Sequence, residues 1–325
     1  MTNKLYEKAE SLRAKGFLAR SVPLYRKAAA AARGDQDASL AMEASLGLIS
    51  ALRTLGLSRQ GLAEAASARK LLRSGGLQEY GLDLELESAL LLRARGDYGK
   101  AVGLLKGLQK KFERAKDTAA VAYIDWALGG AYRFMGRFAE SERAFRKSLR
   151  LFASKRDPQG CGYAMAGLGG ITRMRGDLKA AGKWYRNTLA AFRDGSDRFG
   201  LAYAHCGYGN VLRQLERSAE AEGHYKKAYK LYAGIGDEID LGYVQWGLGR
   251  VYERTGRLAE AEKAYRAGYA LFLKGDEKRG EILSQLSLAQ VRHARGATAA
   301  AEKLFAVAYG KALNHGLHAH LESFT

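Results

Sequence analysis

Proline is nearly absent: 325 residues hold only Pro23 and Pro158. A proline inside a helix costs about 3 kcal/mol, so this scarcity permits long, unbroken helices. Cysteine is as rare, with Cys161 and Cys206 alone. Their spacing fits neither a metal knuckle nor a redox pair, which leaves two small, reduced, buried side chains. No apolar run approaches the roughly 18–20 residues that cross a bilayer. The opening MTNKLYEKAE alternates charge and has no signal-peptide core. The expectation is a cytoplasmic protein without a membrane span.

Signatures of chemistry are missing too. GLGGIT and GYGN read as helix-packing segments, not as phosphate-cradling loops after strands. No Ser/His/Asp or Cys/His arrangement stands out. Cys206 follows His205, but adjacent helical residues point in different directions. His315, His318 and His320 cluster near the C-terminus with Glu322 nearby, and the plain reading is a polar helix end rather than a metal site. No enzyme activity, metal or cofactor is expected.

Charge and periodicity are what the chain has. Lys and Arg number 53 against 34 Asp and Glu, a net charge of +19. Such an excess favours an acidic partner: nucleic acid, an anionic membrane surface or an acidic protein segment. With 47% hydrophobic residues a packed core is available.

The chain repeats itself every forty residues. Gly16, Gly56, Gly96, Gly136, Gly176, Gly256 and Gly296 form one column, broken only by Glu216. Each row holds two helical stripes. In residues 241–280, Val244, Leu248 and Val251/Tyr252 recur at helical spacing. Gly256 ends that helix, and a second stripe runs through Leu258, Ala261, Tyr265 and Leu271/Phe272. Small residues mark close helix contacts: Gly129, Gly169, Gly209 and Gly249 on first helices, Ala181, Ala221, Ala261 and Ala301 on second ones. An aromatic plug is expected beside them at Phe145, Tyr185, Tyr225, Tyr265 and Phe305. One helix pair cannot bury its apolar face alone; stacked neighbours can.

The pattern L-G-x-x-Y-x-x-x-G-x-x-x-x-A-x-x-x-Y resembles the tetratricopeptide repeat. Leu248, Gly249, Tyr252, Gly256, Ala261 and Tyr265 match it fully; Leu128, Gly129, Tyr132, Gly136 and Phe145 match with Ser141 in place of alanine. The forty-residue period is most similar to the long-helix subgroup of kinesin light chains, spindle-orientation adaptors and bacterial regulators. The first three repeats depart, with Ala9, Ile49 and Ala89 for the first-helix glycine and Ala65 and Leu105 for the plug. The resemblance implies an all-α, right-handed superhelical α-solenoid of about eight helix–turn–helix repeats. These lie near 1–40, 41–80, 81–120, 121–160, 161–200, 201–240, 241–280 and 281–320, with 321–325 as a tail.

In this family the first helices line a concave groove. Four columns fall there: Tyr123, Tyr163, Tyr203 and Tyr243, closed by Leu283; Trp126, Ala166, Cys206 and Trp246; Gly130, Gly170, Asn210, Arg250 and Gln290; and Arg13, Arg53, Arg93, Arg133, Arg173 and Arg213, followed by Glu253 and His293. Arg254 adjoins the last column. A row of guanidinium groups is a ladder of rigid forks for carboxylates or phosphates. Tyrosine adds flat surface and a hydroxyl, and Asn210 matches the family's peptide-backbone asparagine. Arginine is also a good helix former, and a solvated face is the plainer alternative for this column. A second basic column, Arg26, Lys106, Arg146, Arg186, Lys226 and Arg266, is expected on the convex side.

The leading expectation is a scaffold that binds an extended, acidic segment of another protein. RNA or single-stranded DNA binding is the alternative, from charge and from tyrosine beside arginine. Self-association is a third, because Leu304, Phe305, Val307 and Tyr309 leave the last repeat without a polar cap.

Overall fold

A computed structural model describes residues 2–195, 197–275 and 277–314. Among them are sixteen α-helices and no strand. The helices run α1 Thr2–Ala14, α2 Leu18–Gly34, α3 Ala38–Thr54, α4 Ser58–Ser74, α5 Gly81–Arg95, α6 Tyr98–Arg114, α7 Thr118–Phe134 and α8 Phe138–Ser154. They continue α9 Pro158–Met174, α10 Leu178–Ala191, α11 Arg198–Gln214, α12 Ser218–Ile235, α13 Glu238–Arg254, α14 Leu258–Gly275, α15 Lys278–Ala294 and α16 Thr298–Asn314. Each odd helix pairs with the even helix after it, and the pairs stack into an α-solenoid.

Local chemistry starts and stops these helices. Asp37, Asp117, Asp157, Asp197 and Asp237 stand one before α3, α7, α9, α11 and α13, and each carboxylate accepts the backbone N–H three residues on. Such a cap contributes about 1 kcal/mol. The turn glycines adopt left-handed backbone, with φ from 72° at Gly136 to 94° at Gly96. Glu216 holds the same conformation at φ 64°, a strained choice for a side-chain-bearing residue.

The plug aromatic is the unit of the core. Phe145 sits between two glycines, Gly129 of its own repeat and Gly167 of the next; a Cβ at Gly129 would lie 2.9 Å from the ring. Tyr185 and Tyr225 are held the same way by Gly169 and Gly207, and by Gly209 and Gly247. In the second repeat bulk changes sides, and in the third a smaller plug, Leu105, stays on the second helix. Ile49 faces Ala65, Ala89 faces Leu105, and all four are buried. Exchanging large for small across one contact conserves volume, which cores tolerate best. The expected plug Phe305 is different: it is 50% exposed. Its first-helix partner is Ala289 rather than glycine, and among the described residues no further helix closes over α16. Val307 and Tyr309 are exposed beside it.

The solenoid also touches itself across distant repeats. A Cβ at Gly16 would lie 3.2 Å from Arg198, and one at Gly56 would lie 2.6 Å from Ile239. Ala19 abuts Gly236. Leu18 and Leu55 share one apolar cluster with Tyr232 and Ile235. Arg198 stands 5.3 Å from the Phe17 ring, and Arg279 stands 5.1 Å from the Phe134 ring. Counted as helix pairs, the first therefore rests on the sixth (α11 and α12), the second on the seventh (α13) and the fourth on the eighth (α15). The same turn at Gly136, Gly176, Gly256 and Gly296 meets nothing.

Candidate functional site

The first helices line a cavity of about 720 Å³ that is partly open to solvent. Its wall includes Arg13, Arg53, Arg93, Arg133, Tyr123, Trp126, Tyr163 and Tyr203, together with Gly16, Leu18, Asp157, Asp197, Arg198 and Phe199. First and sixth repeats thus face the same space.

The arginine column divides by partner. Arg13 bonds Glu10 at 2.6 Å and remains exposed. Arg53 bonds Glu87 at 2.9 Å. Burial opposes its charge, but Glu87 more than offsets this and raises Arg53 above its ordinary value. Among the described residues no carboxylate pairs with Arg93, Arg133, Arg173 or Arg213. Arg93 lies 4.7 Å from the Trp126 ring centre and Arg133 4.9 Å from that of Phe134. Arg173 reaches Gln214 at 3.4 Å. Arg213 is 6% exposed and lies 5.7 Å from the Trp246 ring centre. The Nε atoms of Arg93, Arg173 and Arg213, and Nη2 of Arg213, are buried without a hydrogen-bond acceptor.

This is electrostatically costly. Burial, with repulsion from Arg53 and Arg133, lowers Arg93 to about 10. Burial, with repulsion from Arg213 and Arg133, also lowers Arg173. Arg133 goes the other way: burial acts against it, and the hydroxyls of Tyr203 and Tyr185 beside it raise it. A buried donor without an acceptor costs about 1–3 kcal/mol. Of these arginines, Arg93 and Arg133 line the cavity, whereas Arg173 and Arg213 lie outside its wall.

The third column turns out to seat the fourth. A Cβ at Gly130 would lie 2.5 Å from Nη1 of Arg93. Gly170 makes the same room for Nη1 of Arg133. Gly130 and Gly170 are thus where the preceding repeat's guanidinium lies down.

Other expected site residues are engaged within the fold. Tyr163 donates its hydroxyl to Asp197 at 2.8 Å, and Tyr243 donates to Glu277 at 2.7 Å while accepting from Arg279 at 2.9 Å. The Tyr123 hydroxyl stands beside the Arg53 guanidinium. Asn210 accepts from Tyr225 at 3.0 Å. Trp246 is 5% exposed and donates to Ser287 at 3.0 Å. Arg250 meets Glu253 at 3.5 Å and Gln290 at 3.2 Å. Arg254 stands apart: its side chain is 50% exposed and is paired with Glu216.

Arg198, Arg279, Asp157 and Asp197 were not anticipated from sequence. Only the aspartates left a signal, as caps recurring every forty residues. The second basic column is exposed at all six positions. Cys161 and Cys206 are free thiols, and burial pushes Cys206 up to about 12. His315, His318, His320 and Glu322 lie outside the described residues. No helix among the described residues is long and apolar enough to cross a membrane.

A fold of stacked helix pairs around a lined channel defines a helical-repeat interaction scaffold. Tetratricopeptide-repeat models match residues 162–233 in one case, and 126–196 and 242–274 in another. These stretches of the chain are tetratricopeptide repeats. Among solved structures of similar fold is a Rap protein complexed with competence and sporulation factor: 13% identity, TM-score 0.66, covering 100% of this chain and 95% of that one. The apo form of RapI is also similar, with 13% identity, TM-score 0.56, and coverage of 99% and 89%. BtubC (BKLC) from P. vanneervenii has 18% identity and TM-score 0.53, over 72% of this chain and 92% of that chain. No curated protein sequence matches the chain.

Proposed function

We propose that this protein is a non-catalytic scaffold whose channel holds an extended, acidic segment of another protein. One observation carries the reading: Arg93, Arg133, Arg173 and Arg213 form a row of guanidinium groups without a carboxylate partner, several of their nitrogens being buried and unbonded. Arg93 and Arg133 line the cavity, and Tyr123, Tyr163 and Tyr203 add flat surface to the same wall. A similarly folded Rap protein has been solved in complex with a factor, which supports a ligand-holding role for this architecture.

An exposed ion pair contributes about 0.2–1 kcal/mol, whereas hydrogen bonds to charged groups contribute about 1.5–3 kcal/mol. Three or four enclosed rungs therefore suffice for a stable complex. The test uses a capped hexaglutamate peptide as probe, titrated by fluorescence anisotropy. Wild type is expected to bind it, with affinity falling as salt rises. Arg133→Glu/Arg173→Glu is expected to lose binding while its helical circular dichroism stays unchanged. Equal affinity in both proteins would falsify the reading.

A further inference from the structure

We infer that the partner loads this channel by threading in a free chain end, so that the ligand is a terminal tail or short linear peptide and not an internal loop of a folded protein. The inference rests on the acidic-segment reading above and adds how the segment reaches the arginines.

The argument is the seam between successive turns of the solenoid. An open groove could receive a chain laid in sideways anywhere along its length. Here the gap through which it would pass is filled. Phe17 is covered by Arg198, Gly56 is pressed against Ile239 and Ala19 against Gly236. Further along, Phe134 is covered by Arg279. Leu18 and Leu55 bury themselves among Tyr232 and Ile235, so the seam has its own apolar core. These contacts join the first, second and fourth helix pairs to the sixth, seventh and eighth along the seam. Gly16 and Leu18 from one edge of the seam, and Arg198 and Phe199 from the other, line the same cavity as Arg93 and Arg133. Its volume of about 720 Å³ is that of a ligand pocket of ordinary size. It does not accommodate a folded domain. A chain anchored in folded domains at both ends has no route in unless the seam parts.

The test separates loading route from recognition. Hexaglutamate with glycine–serine spacers is made in two forms: a C-terminal tail on one small folded carrier, and a linker between two copies of that carrier with a protease site beside the second copy. The tail is expected to bind. The intact linker is expected to bind at least about tenfold more weakly. Proteolysis that frees one end of the linker is expected to restore the affinity of the tail. If the intact linker binds as tightly as the tail, and Arg133→Glu/Arg173→Glu removes both, threading is overturned while the acidic reading stands. If neither form binds, the acidic reading falls and this inference falls with it.

Discussion

The guanidinium of Arg93 lies 4.7 Å from the centre of the Trp126 ring, and it reaches that place because residue 130, one helical turn further on, carries no side chain. A cation over an indole gains about 0.5–2 kcal/mol. That gain holds the charge in position without neutralising it. Gly130 is therefore a positioning residue for Arg93.

The two glycine columns make opposite predictions. Alanine in place of helical glycine stabilises by about 0.5–1 kcal/mol where space allows. At Gly130 the atom in the way is the far end of a flexible arginine. Gly130→Ala is expected to leave the urea midpoint equal or higher and to weaken hexaglutamate binding. At Gly207 the obstacle is the buried ring of Tyr185, so Gly207→Ala is expected to lower stability by about 1–3 kcal/mol. Destabilisation by both changes would show that Gly130 serves packing alone.

Arg213 joins stability to ligand holding. It is buried, has two nitrogens without acceptors and lacks a carboxylate partner. Replacement by an apolar chain of similar length removes the desolvation cost. Arg213→Met is expected to gain about 1–3 kcal/mol in denaturant unfolding and to bind the acidic probe more weakly. A loss of stability would mean that this charge is compensated within the fold.

Asp237 and Asp240 give a pH signature. Burial first, then the neighbouring Asp240, raises Asp237, and burial raises Asp240 to about 6 from 3.8. The folded state thus holds protons that the unfolded state has released. This contribution is complete below about 3.8 and is lost as pH rises through about 6. Asp240→Asn is expected to remove that decline between pH 4 and 7 in unfolding midpoints; a profile parallel to wild type would contradict the pairing.

His205 acts in the opposite direction over an overlapping range. Its Nδ1 lies 2.9 Å from Nδ1 of His224. Burial, then the charge of His224 and of Lys227, lowers His205 to about 4 from 6.5. Stability from keeping this ring neutral is complete above about 6.5 and is lost as pH falls through about 4. His205→Gln is expected to flatten the acid side of the profile. Proton NMR titration of the ring is the direct check, and a midpoint near 6.5 would refute it.

Periodic, local features were legible in the chain. Gly256 and its column end first helices because left-handed backbone favours glycine wherever it occurs. Phe145, Tyr185, Tyr225 and Tyr265 fill equivalent holes at forty-residue steps. Phe305 broke the pattern because a plug needs a following first helix, and letters alone do not say where stacking stops.

By itself the sequence determined the helices, their turns, their pairing and the alignment of arginines along one side, since each depends on neighbours within one or two repeats. Tertiary structure alone decided which arginines stay uncompensated. Arg53 finds Glu87 in the next repeat, while Arg93 finds the bare backbone of Gly130 and an indole. It also decided that repeat 1 rests on repeat 6. That contact comes from a small rotation at each helix pair, summed over five repeats, and no short stretch of residues encodes the sum.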